Sequence, residues 1–273
     1  MRNPSRKIAF VLASSDHGTV IVNRFDYRIV DKTKGYGVGF QILEKSAFDP
    51  EEVDLAISML GLRRKYFGDG VVAIDCGANI GVHTIEWAKK MSGWGTVIAI
   101  EAQERIFYAL AGNIAINNCF NAKAVFAAVS AINGTMRVPN PDYLQPSSFG
   151  SLELSQHANT EFIGQQIDYS DDKTSEIRTL TLDSFALGRI DFIKIDVEGM
   201  ELDVLEGAAQ SIGRFQPVLL VESIKTDKAR LQEWLKRNDY RTFDIGLNIL
   251  AIHQNDKTLD HIKSAPDPLH KGR

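Results

Sequence analysis

The sequence predicts an α/β fold: a doubly wound, mostly parallel sheet with helices on both faces. Three observations predict it. First, the apolar run Val71-Val72-Ala73-Ile74 ends in Asp75-Cys76-Gly77-Ala78-Asn79-Ile80-Gly81 and passes into helical periodicity. A β-branched run, a glycine turn and a helix make the first strand-loop-helix of a Rossmann-like sheet. Second, strand and helix patterns alternate from residue 71 onward, as parallel strands joined by crossover helices require. Third, Asp75, Glu101, Asp196 and Glu222 each close an apolar run, which places them at strand carboxyl ends, where such sheets bind ligands.

The elements follow in order. Ile8 to Ser14 reads as a first strand, because its apolar stretch is shorter than the roughly 7–15 residues of a secretory signal core. Gly18 to Val30 alternates (Val20, Val22, Phe25, Tyr27, Ile29) as a half-exposed strand does. Gly35-Tyr36-Gly37-Val38-Gly39 reads as a hairpin with bulges, the alternative being a glycine surface laid against a ligand. Asp49-Pro50-Glu51-Glu52 starts a helix with a capping aspartate, proline at the first position and acids in the first turn. That helix runs to about Tyr66, with Arg63-Arg64-Lys65 as its solvated end, and stops before Gly68-Asp69-Gly70.

From Val71, seven strands are expected, at 71–75, 96–101, 122–129, 190–196, 217–222, 240–244 and 247–253. Helices are expected at 80–91, 104–117, 200–213 and 226–238, and the last two strands, split by Gly246, as an antiparallel pair. Residues 131–176 are polar, poor in helix signals and long for a connection, which suits a substrate-covering insertion. The expected organisation is a small N-terminal β/α extension at 1–68 packed on the core, a main domain at 69–255 and a flexible tail at 256–273.

Composition narrows the function. A chain of 273 residues, 44% hydrophobic, buries one large core. A net charge of −4 gives no nucleic-acid footprint, and no DNA partner is expected. Cys76 and Cys119 stand in unrelated contexts, so no disulfide or metal spacing follows and a reducing cytoplasm is the expected location. Cys76 reads as a small buried filler. No apolar run approaches the roughly 20 residues of a membrane span. A homodimer is compatible with this composition.

The acids point to a ligand. Asp75 at the strand tip would repel a phosphate and attract an ammonium group. Asn79 stands where a phosphate-cradling loop wants a second glycine. Twenty residues past Gly81, the strand 96–101 ends in Glu101, placed to accept hydrogen bonds from both ribose hydroxyls. A ribose with a cationic amino-acid end describes S-adenosylmethionine.

The chain resembles the FkbM-type methyltransferases. The likeness is carried by Asp75-x-Gly77-x-Asn79-x-Gly81, by Ile100-Glu101 and by Asp191-Phe192-Ile193-Lys194-Ile195-Asp196-Val197-Glu198-Gly199. Glu206-Gly207-Ala208 and Pro217-Val218-Leu219-Leu220-Val221-Glu222 continue it, over roughly residues 70–225. One departure is Ala102, where the family usually has proline. The resemblance implies a class I fold and S-adenosylmethionine as cofactor, with Asp75, Gly77, Asn79, Gly81, Thr84, Glu101, Ser130 and Asp196 as its contacts. It also places the serine-rich block Pro146 to Leu152 near the active site.

Asp196, Glu198 and Glu222 are the catalytic candidates, as direct bases for a hydroxyl or as ligands of a divalent cation that acidifies it. Helix capping competes as a role for Asp196 and Glu198, which precede the helix at Met200. Lys194, inside a buried strand, is expected to pair with a rim carboxylate. His83 reads as a surface or capping histidine. Asp196-Val197-Glu198-Gly199 stands where an amino-nucleobase methylase would show an Asn/Asp-Pro-Pro-aromatic turn, so the expected reaction is O-methylation of a small hydroxylated molecule, sugar or glycan. A non-catalytic binding protein on this fold, an RNA methyltransferase and a nicotinamide enzyme are the alternatives.

Overall fold

The computed structural model describes residues 6–31, 35–157 and 159–262. The extension opens with a hairpin of β1 (Phe10–Ser15) and β2 (Gly18–Asn23), then a two-residue ladder of β3 (Arg28–Ile29) and β4 (Gly35–Tyr36). Helices α1 (Val38–Lys45) and α2 (Pro50–Phe67) complete it. The main domain then runs β5 (Val71–Cys76), α3 (Val82–Lys90), β6 (Gly95–Glu101), α4 (Glu104–Ile116) and β7 (Ala122–Phe126). A side sheet follows, of β8 (Ala128–Val129), β9 (Gly134–Pro139) and β10 (Thr174–Leu180). The chain returns through β11 (Phe192–Ile195), α5 (Glu201–Gly207), α6 (Ala209–Phe215) and β12 (Val218–Glu222). It closes with α7 (Lys228–Arg237), β13 (Tyr240–Ile245) and β14 (Asn248–His253).

The main sheet has seven strands in the order β13-β14-β12-β11-β5-β6-β7. The five strands β12, β11, β5, β6 and β7 are parallel, while β14 runs antiparallel to both β12 and β13. From β5 the chain steps outward to β6 and β7, then returns to β11 on the other side of β5. The strand order reverses there, which opens a crevice at the carboxyl ends of β5 and β11. Alternation along buried strands sorts the core into two layers. Phe192, Val218 and Leu220 pack with α2 and α3 residues on one face. Ile193, Ile195, Leu219 and Val221 pack with α5, α6 and α7 on the other. Lys194, between Ile193 and Ile195, therefore faces the layer that holds the extension.

The extension is bound to the core by polar clamps as well as apolar packing. Asn113 of α4 is fully buried, accepts from Ile21 N at 2.5 Å and donates to Ile80 O at 2.8 Å. Arg63, expected as part of a solvated helix end, is 4% exposed. Its Nε donates to Asp191 Oδ1 at 3.2 Å, Nη1 pairs with Asp256, and the guanidinium lies over Phe67. A buried charge needs such partners, and these bridge the start of β11 and the segment after β14.

Other expectations also change. Residues 35–39 form one short strand and then the start of α1, because the N–H of Gly39 turns inward to bond Asp26 Oδ2 at 2.9 Å. The expected strand at 122–129 is divided between the main and side sheets, and the expected helix at 200–213 breaks at Ala208. The tail expected from 256 begins as ordered structure: Asp256 caps a short turn, Lys257–His261, and Thr258 is fully buried. Its residues from 263 on lie outside the described residues. No described helix is long and apolar enough to cross a membrane.

Candidate active site

A cavity of about 570 Å³ occupies the crevice, within the usual range for small-molecule and cofactor sites. Its walls come from the β5–α3 loop, the ends of β6, β11 and β12, the segment 148–154, and Tyr36, Gln41, Phe48, Asp49 and Glu52 of the extension.

One half is built by the β5–α3 loop. Gly77 N and Ala78 N both donate to Ile100 O at 3.0 Å, which folds the loop over the end of β6. Glu101 holds it there: Oε2 accepts from Asn79 N at 2.9 Å and Oε1 from Gln103 N at 2.7 Å. Burial pushes the Glu101 carboxyl up to about 7 against the pull of those N–H groups. The backbone N–H groups of Gln103, Asn79 and Ala102 act on this carboxylate, whose four lone pairs leave capacity for a ligand hydroxyl. Asp75 is 1% exposed; its Oδ2 accepts the Thr84 hydroxyl at 2.6 Å, while Oδ1 is buried with no partner among the described residues. An orphaned carboxylate oxygen on a cavity wall is costly unless a ligand brings the donor. These residues fit S-adenosylmethionine.

The other half is ionic. Lys194 Nζ lies 2.7 Å from Asp196 Oδ2 and 3.9 Å from Glu52 Oε1. Burial disfavours the ammonium, but Asp196, Glu52 and Asp75 outweigh it and raise its proton affinity. Glu52 Oε1 also faces His83 Nε2 at 3.2 Å, and Oε2 accepts from Asn248 Nδ2 at 2.5 Å. Burial alone would raise Glu52; the His83 hydrogen bond and the Lys194 charge instead bring it down to about 2. Asp196, Glu198 and Glu222 each bring an oxygen within 4.8 Å of one another. Burial and the Asp196 charge push Glu222 up to about 8, against Lys194. The same two causes raise Glu198, opposed by its ion pair with Lys225.

Gly77, Asn79, Gly81, Asp75, Glu101, Asp196, Glu198 and Glu222 all line this cavity. Two expected contacts do not. Thr84 is fully buried behind Asp75, which it orients through its hydroxyl. Ser130 is turned away because β8 leaves the main sheet to pair with β10: its N donates to Leu180 O and its O packs against Gly207. His83 is neither a surface nor a capping residue; it is 6% exposed, on the cavity wall, edge-on to Trp87. The α5 end is held by Glu201, whose Oε1 accepts from Val197 N and Gly199 N, so Asp196 and Glu198 are not its caps. Asp49 also gives up side-chain capping: it sits at the α2 N-cap in the left-handed region (φ 39°), its carbonyl accepts from Glu52 N and Val53 N at 3.1 Å, but its carboxylate makes no cap hydrogen bond and the residue lines the cavity.

Nothing in the sequence marks Asp49 and Glu52 as site residues, since both satisfy helix-start rules. Gln103 goes unmarked as well; its Nε2 donates to Phe149 O at 2.8 Å and so joins the loop after β6 to the serine-rich block.

The family model for the methyltransferase FkbM domain matches residues 75–242. No curated protein matches the chain. Among solved structures it is similar to a methyltransferase FkbM from Methylobacillus flagellatus KT, at 20% identity and TM-score 0.48, over 75% of this chain and 50% of that one. The chain thus spans about half the length of that protein. It is also similar to a precorrin-6y C5,15-methyltransferase from Geobacter metallireducens GS-15 (17% identity, TM-score 0.42, 77% of this chain, 89% of that one). A SAM-dependent methyltransferase from Aquifex aeolicus gives 13% identity and TM-score 0.33 over 76% of this chain and 97% of that one. With the model matching most of its length, the chain belongs to the FkbM methyltransferase family.

Proposed function

We propose that the protein methylates a hydroxyl of a small molecule, sugar or glycan, with Glu222 as general base. One observation carries this reading. Glu222 Oε2 is buried on the cavity wall beside Asp196 without a hydrogen-bond partner among the described residues, and burial with the Asp196 charge pushes its carboxyl up to about 8. A hydroxyl is a poor nucleophile, and a carboxylate tuned to that range can take its proton as the oxygen attacks.

When bound, S-adenosylmethionine supplies an electrophilic methyl group on a sulfonium. Asp75 Oδ1 would accept from its ammonium end and Glu101 from its ribose hydroxyls, with Gly77, Asn79, Gly81 and Asp196 shaping the cradle. Burial and the charge of Asp196, which pairs with Lys194, raise the base's proton affinity. The same three carboxylates have the spacing of a cation site. Lys194 and Lys225 already balance two of them, which favours the direct base over a divalent cation. In this organisation residues to 68 extend a methyltransferase domain at 69–255, and 131–176 supplies the cover.

The test is a panel of hydroxylated acceptors incubated with S-adenosylmethionine, with and without chelator, reading S-adenosylhomocysteine release and mapping the new methyl group by NMR. O-methyl products that survive chelator are expected; N-methyl products, or activity restored only by magnesium or manganese, would count against the reading.

A simpler expectation concerns the cofactor. Asp75→Ala removes one charge-assisted contact worth about 1.5–3 kcal/mol, so S-adenosylmethionine should bind roughly 10- to 150-fold more weakly. Calorimetry giving wild-type affinity in the folded variant would remove Asp75 from the cradle.

A further inference from the structure

Glu198 and Glu222 have raised proton affinities and share one rim, yet their surroundings differ. Among the described residues neither Glu198 Oε2 nor Glu222 Oε2 has a hydrogen-bond partner, but Glu198 Oε2 forms an ion pair with Lys225 whereas Glu222 forms none. Lys225 lies in the connection between β12 and α7, with its side chain 11% exposed. Its ammonium reaches three segments: Glu198 on the catalytic rim, Ser151 O at 2.8 Å in the serine-rich block, and Glu161 Oε2 at 3.0 Å. The ammonium thus donates one hydrogen bond, to Ser151 O, and its charge is shared between two carboxylates. Glu161 Oε1 accepts in turn from Arg28 Nη1 at 2.8 Å, which continues the chain of charges into the N-terminal extension.

The serine-rich block is fastened on its far side too. Asp26 accepts from Phe149 N at 3.0 Å and from Gly39 N at 2.9 Å, and Gln103 Nε2 donates to Phe149 O. Between these fastenings, Ser148, Gly150, Ser151, Leu152 and Leu154 form one wall of the cavity. The segment has no place in the main sheet, so its position over the cavity depends on such contacts. Glu198 adopts a φ of 57°, a backbone conformation that a non-glycine residue holds only when its surroundings compensate.

We propose that Lys225 is a positioning residue for methyl transfer: its ammonium fastens the Ser148 to Leu154 wall to Glu198, making Glu198 the anchor of the cavity cover and not a base. The catalytic meaning of that cover rests on the cavity being the methyl-transfer site proposed above; the fastening itself does not. Neutralising Lys225 strips Glu198 of its counter-charge and frees the wall at one end. Excluding water and holding the acceptor in line both depend on that wall.

The test is hydrogen exchange by mass spectrometry on the full chain without ligand, together with calorimetry of S-adenosylhomocysteine binding. Lys225→Met should raise exchange in 146–154 about 10-fold or more, the scale of a lost charge-assisted hydrogen bond, and weaken S-adenosylhomocysteine by a similar factor. Exchange in the strands 71–76 and 95–101 should stay at wild type. Lys225→Arg, which keeps the charge and several donors, should restore both readouts. Glu198→Gln should reproduce the loss, and the double variant should be no worse than either single one. Wild-type exchange at 146–154 in folded Lys225→Met, failure of arginine to rescue, or additive losses would overturn the proposal. Where Lys225→Met also loosens the central strands, Glu161→Ala decides: a rise of about threefold or more at 146–154 is expected, and no rise overturns it. If wild-type protein failed to bind S-adenosylhomocysteine, the cradle assignment would fall while the exchange result still judged Lys225.

Discussion

Glu222→Gln should lower kcat by about 100-fold or more while leaving S-adenosylhomocysteine affinity within about threefold of wild type. The substitution is isosteric, keeps the strand end in place and removes only the ability to take a proton. The pH profile supplies the sharper check. A general base works unprotonated, and burial with the neighbouring Asp196 charge pushes Glu222 up to about 8. Wild-type kcat should therefore climb as pH rises through about 8 and level off above it, and the variant should lose that limb. Glu101, pushed up to about 7 by burial, titrates nearby but touches the cofactor cradle, so its effect belongs to cofactor binding and disappears at saturating S-adenosylmethionine. Glu52, held down at about 2, stays charged throughout. A variant with wild-type kcat, or one that keeps the same limb, would assign the proton transfer elsewhere.

Those expectations rest partly on what the sequence already makes legible. The strand-loop-helix from Val71 through the helix after Gly81 is local: apolar run, glycines and acid sit within a dozen residues, and periodicity reads them directly. Glu101 follows from the spacing of one crossover, and the acids at 196 and 222 from the ends of buried strands. The ionic half of the cavity is different in kind. Asp49 and Glu52 obey the rules for a helix start, and only the packing of α2 against α3 turns them toward Lys194 and His83. Arg63 reads as one charge in a basic helix end because its partners, Asp191 and Asp256, lie 128 and 193 residues away. Lys225 looks like an ordinary loop lysine for the same reason. Local chemistry exposes the glycine loop, Glu101 and the strand-end acids; the charges set around those acids, Glu52 and Lys225 among them, are brought in by long-range contacts that spacing does not encode.

Gly77 is where the two halves meet, and Gly77→Ala should abolish cofactor binding. Its φ of 78° already disfavours a side chain, at about 1–2 kcal/mol. Space is the larger obstacle. A Cβ at this position would lie 1.8 Å from Asp196 O and 2.8 Å from Asp196 C, both backbone atoms. The neighbouring contact is equally close-fitting, with Asp196 N donating to Cys76 O at 3.1 Å. Even one methyl group must push the β5–α3 loop and the turn after β11 apart. That displaces Asn79 from Glu101 on one side and Asp196 from Lys194 on the other, so cradle and base are disturbed together. S-adenosylhomocysteine affinity should fall by about 100-fold or more, and turnover should drop to background with it. Gly68→Ala is the matched control: its φ is 79°, but nothing lies within 4 Å of a Cβ there. It should carry only the backbone strain, lowering stability by about 1 kcal/mol and leaving cofactor affinity unchanged. Calorimetry on the two variants separates conformation from contact. If Gly77→Ala bound S-adenosylhomocysteine as Gly68→Ala does, the close approach of the two loops would not be what shapes the cradle.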